Sequence, residues 1–166
     1  EHLYFSRLLV YHLQHWAHQH QGINVANVVG LANPAILAHT LADDTTDRES
    51  QWQQIFASIL AMRTFCIERD IDFILTTYPW GHQVNEREWT PGRLAFMPQD
   101  AVISDRSPKR IRSLAADHGI EFLDLFPAFR AYDGKAPLYH SFDMHWTPAG
   151  HRLLARELQP HIADRL

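Results

Sequence analysis

The residues best suited to chemistry lie near the C-terminus, where Asp143 and His145 stand two positions apart. In an extended segment, residues i and i+2 project to the same side, so this carboxylate and this imidazole can face one site together. A carboxylate that accepts a hydrogen bond from Nδ1–H of a histidine fixes its tautomer and stabilises the imidazolium. The spacing therefore predicts a base dyad in which Nε2 of His145 takes a proton from a nucleophile.

The residues that follow the pair predict a helix that holds it in place. Thr147 is a good N-cap residue, and Pro148 stands at the first helical position, where its missing N–H costs nothing. Apolar residues then recur at helical spacing, which predicts a helix from 148 to about 158 with one face on the core. These residues are Leu153, Leu154, Leu158 and Ile162.

The sequence contains no convincing nucleophile for this base. Cys66 lies in a strongly helical segment and is interpreted as a small core residue. No serine stands in a Gly-x-Ser-x-Gly elbow. Ser107 precedes Pro108 and is expected to be a helix N-cap, while Ser141 is too close in sequence to His145 to be an obvious partner.

The block from Phe142 to Ala155, FDMHWTPAGHRLLA, resembles the last motif of SGNH (GDSL-type) hydrolases. Its Asp-x-His-Trp form is similar to that of the alginate O-acetyltransferase-like branch. The resemblance implies a triad in which Asp143 and His145 serve a serine in a Gly-Asp-Ser motif. Neither the Gly-Asp-Ser motif nor the Gly-x-Asn-Asp motif of that family occurs in the chain. The resemblance therefore implies that residues 1–166 are one domain, the C-terminal part of an SGNH hydrolase-like domain whose serine lies upstream.

The hydrophobic pattern along the chain predicts alternating helices and strands. The stretch from 22 to 43 is ambiguous: Val25 to Leu31 is compatible with a strand or a loop, and Pro34 to Leu41 is weakly helical. The residues Thr46-Asp47-Arg48-Glu49 have the form of a capping box. Helices are expected at 4–20, 49–69, 108–118 and 148–158, and buried strands at 71–78 and 120–126.

This order favours an α/β fold with parallel strands joined by crossovers. Helices on both faces of a sheet need more than two or three strands beneath them. This order predicts that strands are missing at the N-terminus. The resemblance to SGNH hydrolases implies a three-layer α/β/α, flavodoxin-like parallel sheet, which would then be incomplete at its N-terminus.

Composition excludes several classes of protein. The 166 residues carry a net charge of −4, so no basic surface argues for nucleic acid. The stretch between Arg7 and Asp43 has no Asp, Glu, Lys or Arg, but its Gln, His and Asn residues and Pro34 argue against a membrane span. The single cysteine excludes an internal disulfide. No cofactor is indicated.

In open α/β sheets, ligands bind beyond the carboxyl ends of the strands. Two predicted segments leave those ends. The first, 79–106, is either a lid or a surface insertion, and the second, 127–147, delivers the dyad. The residues expected to line the substrate site are Trp80, His82, Tyr139, His140 and Trp146.

Three functions remain open at this point. The leading one is an enzyme, a serine esterase or O-acetyltransferase acting on an ester of a small molecule or, as the resemblance implies, of a carbohydrate. The second is a noncatalytic SGNH-like binding domain. The third is a metal site made by His140, Asp143, His145 and His151, although their spacing matches no known zinc pattern. The leading function predicts no metal.

Overall fold

A computed structural model describes residues 37–90, 93, 97, 100–141 and 144–163, together with His12, Leu13 and Trp16. The rest of the predicted helix 4–20, the segment 21–36 and Asp143 lie outside the described residues. A 3₁₀ helix (Ala38–Thr40) precedes the regular elements. These are α1 (Glu49–Ile67), β1 (Ile74–Thr77), α2 (Gly81–Val84), α3 (Arg106–Asp117), β2 (Glu121–Asp124), α4 (Phe126–Arg130) and α5 (Pro148–Ile162).

The two strands form a parallel pair, as the sequence predicted. Their register runs from Ile74 opposite Glu121 to Thr77 opposite Asp124. Both strands are half-buried instead of fully buried. The physical reason is that each strand keeps one edge without a neighbouring strand, as far as the described residues extend.

Helices pack on both faces of this pair. One apolar cluster joins α1 and α3 to the sheet through Phe122, and a second joins α4 and α5 to it through Leu123. Because consecutive residues of a strand point to opposite faces, the two clusters cover opposite sides of the sheet. The chain is therefore of the α/β class.

Helix α1 starts at Glu49, as the sequence predicted, but the contacts at the starts of α1 and α3 differ from those expected. The expected capping box does not form: the Glu49 carboxylate accepts instead from Arg110 Nη2, 2.5 Å away, and Asp47 Oδ1 accepts the Glu49 N–H at 2.9 Å. Helix α3 begins one residue before Ser107, whose Oγ donates to the His39 carbonyl at 3.2 Å. The predicted stop at Gly119 is confirmed by its left-handed backbone, with φ of +59°.

Candidate functional site

The start of α5 has the predicted cap. Thr147 is extended, and its Oγ1 accepts from the N–H groups of Ala149 at 3.2 Å and Gly150 at 3.4 Å. The same hydroxyl donates to the Pro137 carbonyl at 2.5 Å. One side chain thus fixes both the first turn of α5 and the backbone that lies across from it.

The residues before α5 fold back on themselves as a short antiparallel ladder, which we name the 138–147 hairpin. Thr147 N donates to the Leu138 carbonyl at 2.9 Å, and His140 N donates to the His145 carbonyl at 3.0 Å. Between these two bonds, Tyr139 and Trp146 face each other as a non-hydrogen-bonded pair. Their side chains therefore lie on one side of the hairpin.

The far end of the hairpin carries the predicted dyad segment. The structure brings His140 and His145 together there, and both are exposed. Asp143, which the sequence places between them, lies outside the described residues. His145 is therefore exposed at the end of an anchored hairpin.

The base of the hairpin is docked just beyond the carboxyl end of β1. The Tyr139 hydroxyl donates to the carbonyl of Pro79, two residues after the strand ends at Thr77. The ring of Tyr78 lies 4.6 Å from that of Trp146, at an angle of 63°. The hairpin therefore occupies the position at which open α/β sheets bind their ligands.

Tyr139 differs from the expectation that it lines the substrate site. Its side chain is 1% exposed and belongs to the core cluster. Burial raises the pKa of Tyr139, so its hydroxyl keeps its proton and acts as a donor. Its role in the structure is to fasten the hairpin to Pro79.

Trp146 is half-buried. Its ring lies 5.9 Å from Phe129 in the core and 5.5 Å from His151, which meets it edge-on. The indole thus forms a wall between the core and the exposed end of the hairpin.

His82 also differs from the expectation of substrate contact, because it is 1% exposed. Its Nε2 lies 2.8 Å from Thr40 Oγ1, and that hydroxyl donates its only hydrogen to the Leu37 carbonyl at 2.7 Å. We therefore assign the imidazole proton to Nε2. Burial above all, with the charges of Arg93 and His39, lowers the pKa of His82 to about 4. His82 is a neutral core residue.

Trp80 lines a cavity, and its assignment as a substrate-lining residue stays a prediction. It is half-buried, with the rings of His39 and His82 at 5.6 and 5.9 Å. It lines a cavity of about 140 Å³ at the carboxyl ends of both strands. Other residues around this cavity are Thr77, Tyr78, Gln83, Ser107 and Phe126.

Sequence reasoning missed two residues of this region. Tyr78 could have been found, because it is the first residue after β1 and therefore sits at the ligand-binding edge. Glu88 is a buried carboxylate bonded to the hairpin backbone. Nothing in its local sequence distinguishes it from Glu86, which is exposed.

In residues 37–90, 100–141 and 144–163 and the few single residues beside them, no group of three His, Cys, Asp or Glu side chains is arranged to hold a metal ion. Within the same residues, none of the helices combines the length and the apolar character needed to cross a membrane.

Comparisons with protein families, with curated proteins and with solved structures found no match for this chain. The residues gathered beyond the carboxyl end of β1 are therefore what indicates a function.

Proposed function

We propose that this chain carries the base dyad of a serine esterase or O-acyltransferase of the SGNH type, with Asp143 and His145 as the dyad. The nucleophile is a serine that precedes Glu1 in the full-length protein. The observation that carries this proposal is the docking of the 138–147 hairpin on Tyr78 and Pro79, which sets His145 beyond the carboxyl end of a parallel strand.

In the proposed reaction, the serine Oγ attacks the carbonyl carbon of an ester while Nε2 of His145 accepts the hydroxyl proton. Collapse of the tetrahedral intermediate breaks the bond to the alcohol, which leaves with the proton returned by His145. Water then attacks the acyl-serine to give the free acid, or a sugar hydroxyl attacks it to give a new ester. In either case His145 takes the proton of the attacking hydroxyl and returns it to the serine oxygen as the acyl–serine bond breaks. Asp143 accepts a hydrogen bond from Nδ1–H of His145 throughout and balances the charge of the imidazolium.

The anchoring of the hairpin supports this role. A base is effective only when held near the attacking atom, and positioning of this kind can supply about 7–11 kcal/mol of a barrier. The hairpin is tied at its base by Thr147, by the Tyr139 hydroxyl and by the ring of Trp146. The exposed end that carries His145 is thus connected to rigid elements within a few residues.

The finer architecture belongs to the same proposal. Helices on both faces of a parallel pair are what a three-layer, flavodoxin-like sheet requires. In that arrangement, further strands contributed from outside the described residues extend the sheet, and one of them delivers the serine.

A fluorophosphonate probe tests the proposed function on the full-length protein. The serine oxygen attacks phosphorus and displaces fluoride, so mass spectrometry identifies the residue that carries the adduct. We expect one labelled serine upstream of Glu1, insensitivity to a metal chelator, and no labelling of the 166-residue chain alone.

Two variants provide the control for this probe. His145→Ala should abolish labelling, whereas His118→Ala, at an exposed position just after α3, should retain it. Labelling that is equal in both variants, or that needs a metal ion, would reject the proposal.

A further inference from the structure

Glu88 reaches across the fold to the backbone of the hairpin. Its Oε1 accepts from Leu138 N at 2.9 Å, and its Oε2 accepts from Leu138 N at 3.0 Å and from Tyr139 N at 3.1 Å. The residue is 6% exposed and stands 50 positions before Leu138 in the chain. Two consecutive backbone N–H groups therefore share one buried carboxylate.

The hairpin needs this carboxylate for a geometric reason. Tyr139 forms a non-hydrogen-bonded pair with Trp146, so its N–H points away from the ladder and needs an acceptor elsewhere. A buried N–H without an acceptor is costly, and a charged acceptor makes the stronger kind of hydrogen bond. Glu88 supplies that acceptor at the base of the hairpin.

A tight turn holds Glu88 in place. The Asn85 side chain accepts from the N–H groups of Arg87 at 2.8 Å and Glu88 at 3.2 Å. Trp89 then adopts a left-handed backbone, with φ of +53°, and is 4% exposed. Such a conformation in a bulky residue persists only where the surroundings hold it. The Trp89 ring is held against His82, at 5.8 Å.

We propose that Glu88 is a positioning residue: it sets the 138–147 hairpin so that His145 faces the serine, an inference that rests on the proposed function. It touches neither substrate nor the reacting atoms. The sequence predicted that the long segment between β1 and α3 is either a lid or a surface insertion. With Glu88 in this role, the segment also contains the residue that anchors the base dyad.

Hydrogen exchange of the full-length protein tests the anchor directly. In Glu88→Gln, which keeps the size of the side chain and one acceptor, exchange of the peptide covering 138–147 should accelerate about tenfold or more. Exchange of the α5 core around Leu153 should stay unchanged. Glu88→Ala should accelerate the hairpin further. Glu86→Gln, an exposed change in the same turn, should leave both regions as in the wild type.

Ester hydrolysis by the same variants tests the positioning role. Glu88→Gln should lower kcat by about 10²-fold, as expected for a misplaced base, while KM changes less than about twofold. Unchanged hairpin exchange in Glu88→Gln would overturn the inference. So would a loosened hairpin with wild-type kcat, because the anchor would then not position the base. An inactive wild-type protein would instead reject the proposed function, and the exchange data would still decide whether Glu88 anchors the hairpin.

Discussion

Tyr78 and Trp146 place their rings 4.6 Å apart, although 68 positions separate them in the chain. Tyr78 directly follows β1, which ends at Thr77, and Trp146 directly follows His145. This contact joins the end of a parallel strand to the segment that carries His145, the proposed base. The Tyr139 hydroxyl on the Pro79 carbonyl makes a second contact between the same two segments.

Gly150 is expected to be essential where α5 meets the hairpin. A Cβ at this position would lie 2.5 Å from the Leu138 carbonyl oxygen and 2.9 Å from Trp146 Cβ. Gly150→Ala should therefore lower the free energy of unfolding by about 1–3 kcal/mol through overpacking. Urea unfolding measures this effect. Arg152→Ala, an exposed change in the same helix, should stay within about 0.5 kcal/mol of the wild type, and equal stabilities of the two variants would contradict the prediction.

The hydroxyl of Tyr139 should contribute measurably to stability. Tyr139→Phe leaves the Pro79 carbonyl without this buried donor, and we expect a loss of about 1–2 kcal/mol in the free energy of unfolding. Tyr78→Phe removes the hydroxyl of a side chain that is 45% exposed, so its effect should be below about 0.5 kcal/mol. Thermal or urea unfolding compares the two, and a Tyr139→Phe protein as stable as Tyr78→Phe would count against the assigned hydrogen bond.

His82 should make the folded state sensitive to acid. Burial lowers the pKa of His82 from 6.5 to about 4, so between these values the unfolded chain binds a proton that the folded chain does not. The stability contributed by neutral His82 is fully present above pH 6.5 and is lost as the pH falls towards 4. The total loss should be about 3 kcal/mol.

Unfolding free energies measured from pH 7.5 down to pH 4 test this prediction for His82. Thr40→Val removes the hydrogen-bond partner but keeps the burial, which is the largest cause of the low pKa. We therefore expect Thr40→Val to lower stability at every pH while retaining the dependence on pH. His82→Gln should flatten that dependence. A slope that persists in His82→Gln would mean that another group causes it.

The sequence predicted those features that depend on neighbouring residues. The Thr147 cap, the Gly119 stop and the two parallel strands follow from local patterns, and the structure has all of them. The prediction of a capping box at Glu49 is wrong because Arg110, 61 positions away, binds the Glu49 carboxylate. No local pattern reports such a partner.

The same limit explains the errors at the candidate site. Composition cannot show that His82 is enclosed by Thr40, Arg93 and Trp89 and is therefore neutral and inaccessible. It also cannot show that the Glu88 carboxylate accepts hydrogen bonds from the backbone of a hairpin 50 residues further along the chain. Periodicity identifies which residues belong to an element, whereas these contacts depend on how the elements pack.

Asp143 should affect turnover more than substrate binding. Asp143→Asn keeps the shape of the side chain but favours the wrong tautomer of His145, and in serine proteases such a change lowers kcat by about 10⁴-fold. We expect a severe loss of kcat in the full-length protein, with KM within about threefold of the wild type. Steady-state kinetics on p-nitrophenyl acetate measure both constants, and normal turnover by Asp143→Asn would remove this residue from the dyad.

The central claim is that His145 is the base, and turnover by two histidine variants of the full-length protein tests it most directly. His140 and His145 are both exposed and lie on the same hairpin, joined by a 3.0 Å backbone hydrogen bond. We predict that His145→Ala lowers kcat for p-nitrophenyl acetate by about 10⁴-fold or more, while His140→Ala keeps it within about tenfold of the wild type. Near-normal kcat in His145→Ala would contradict the account and show that His145 is only a neighbour of the helix cap.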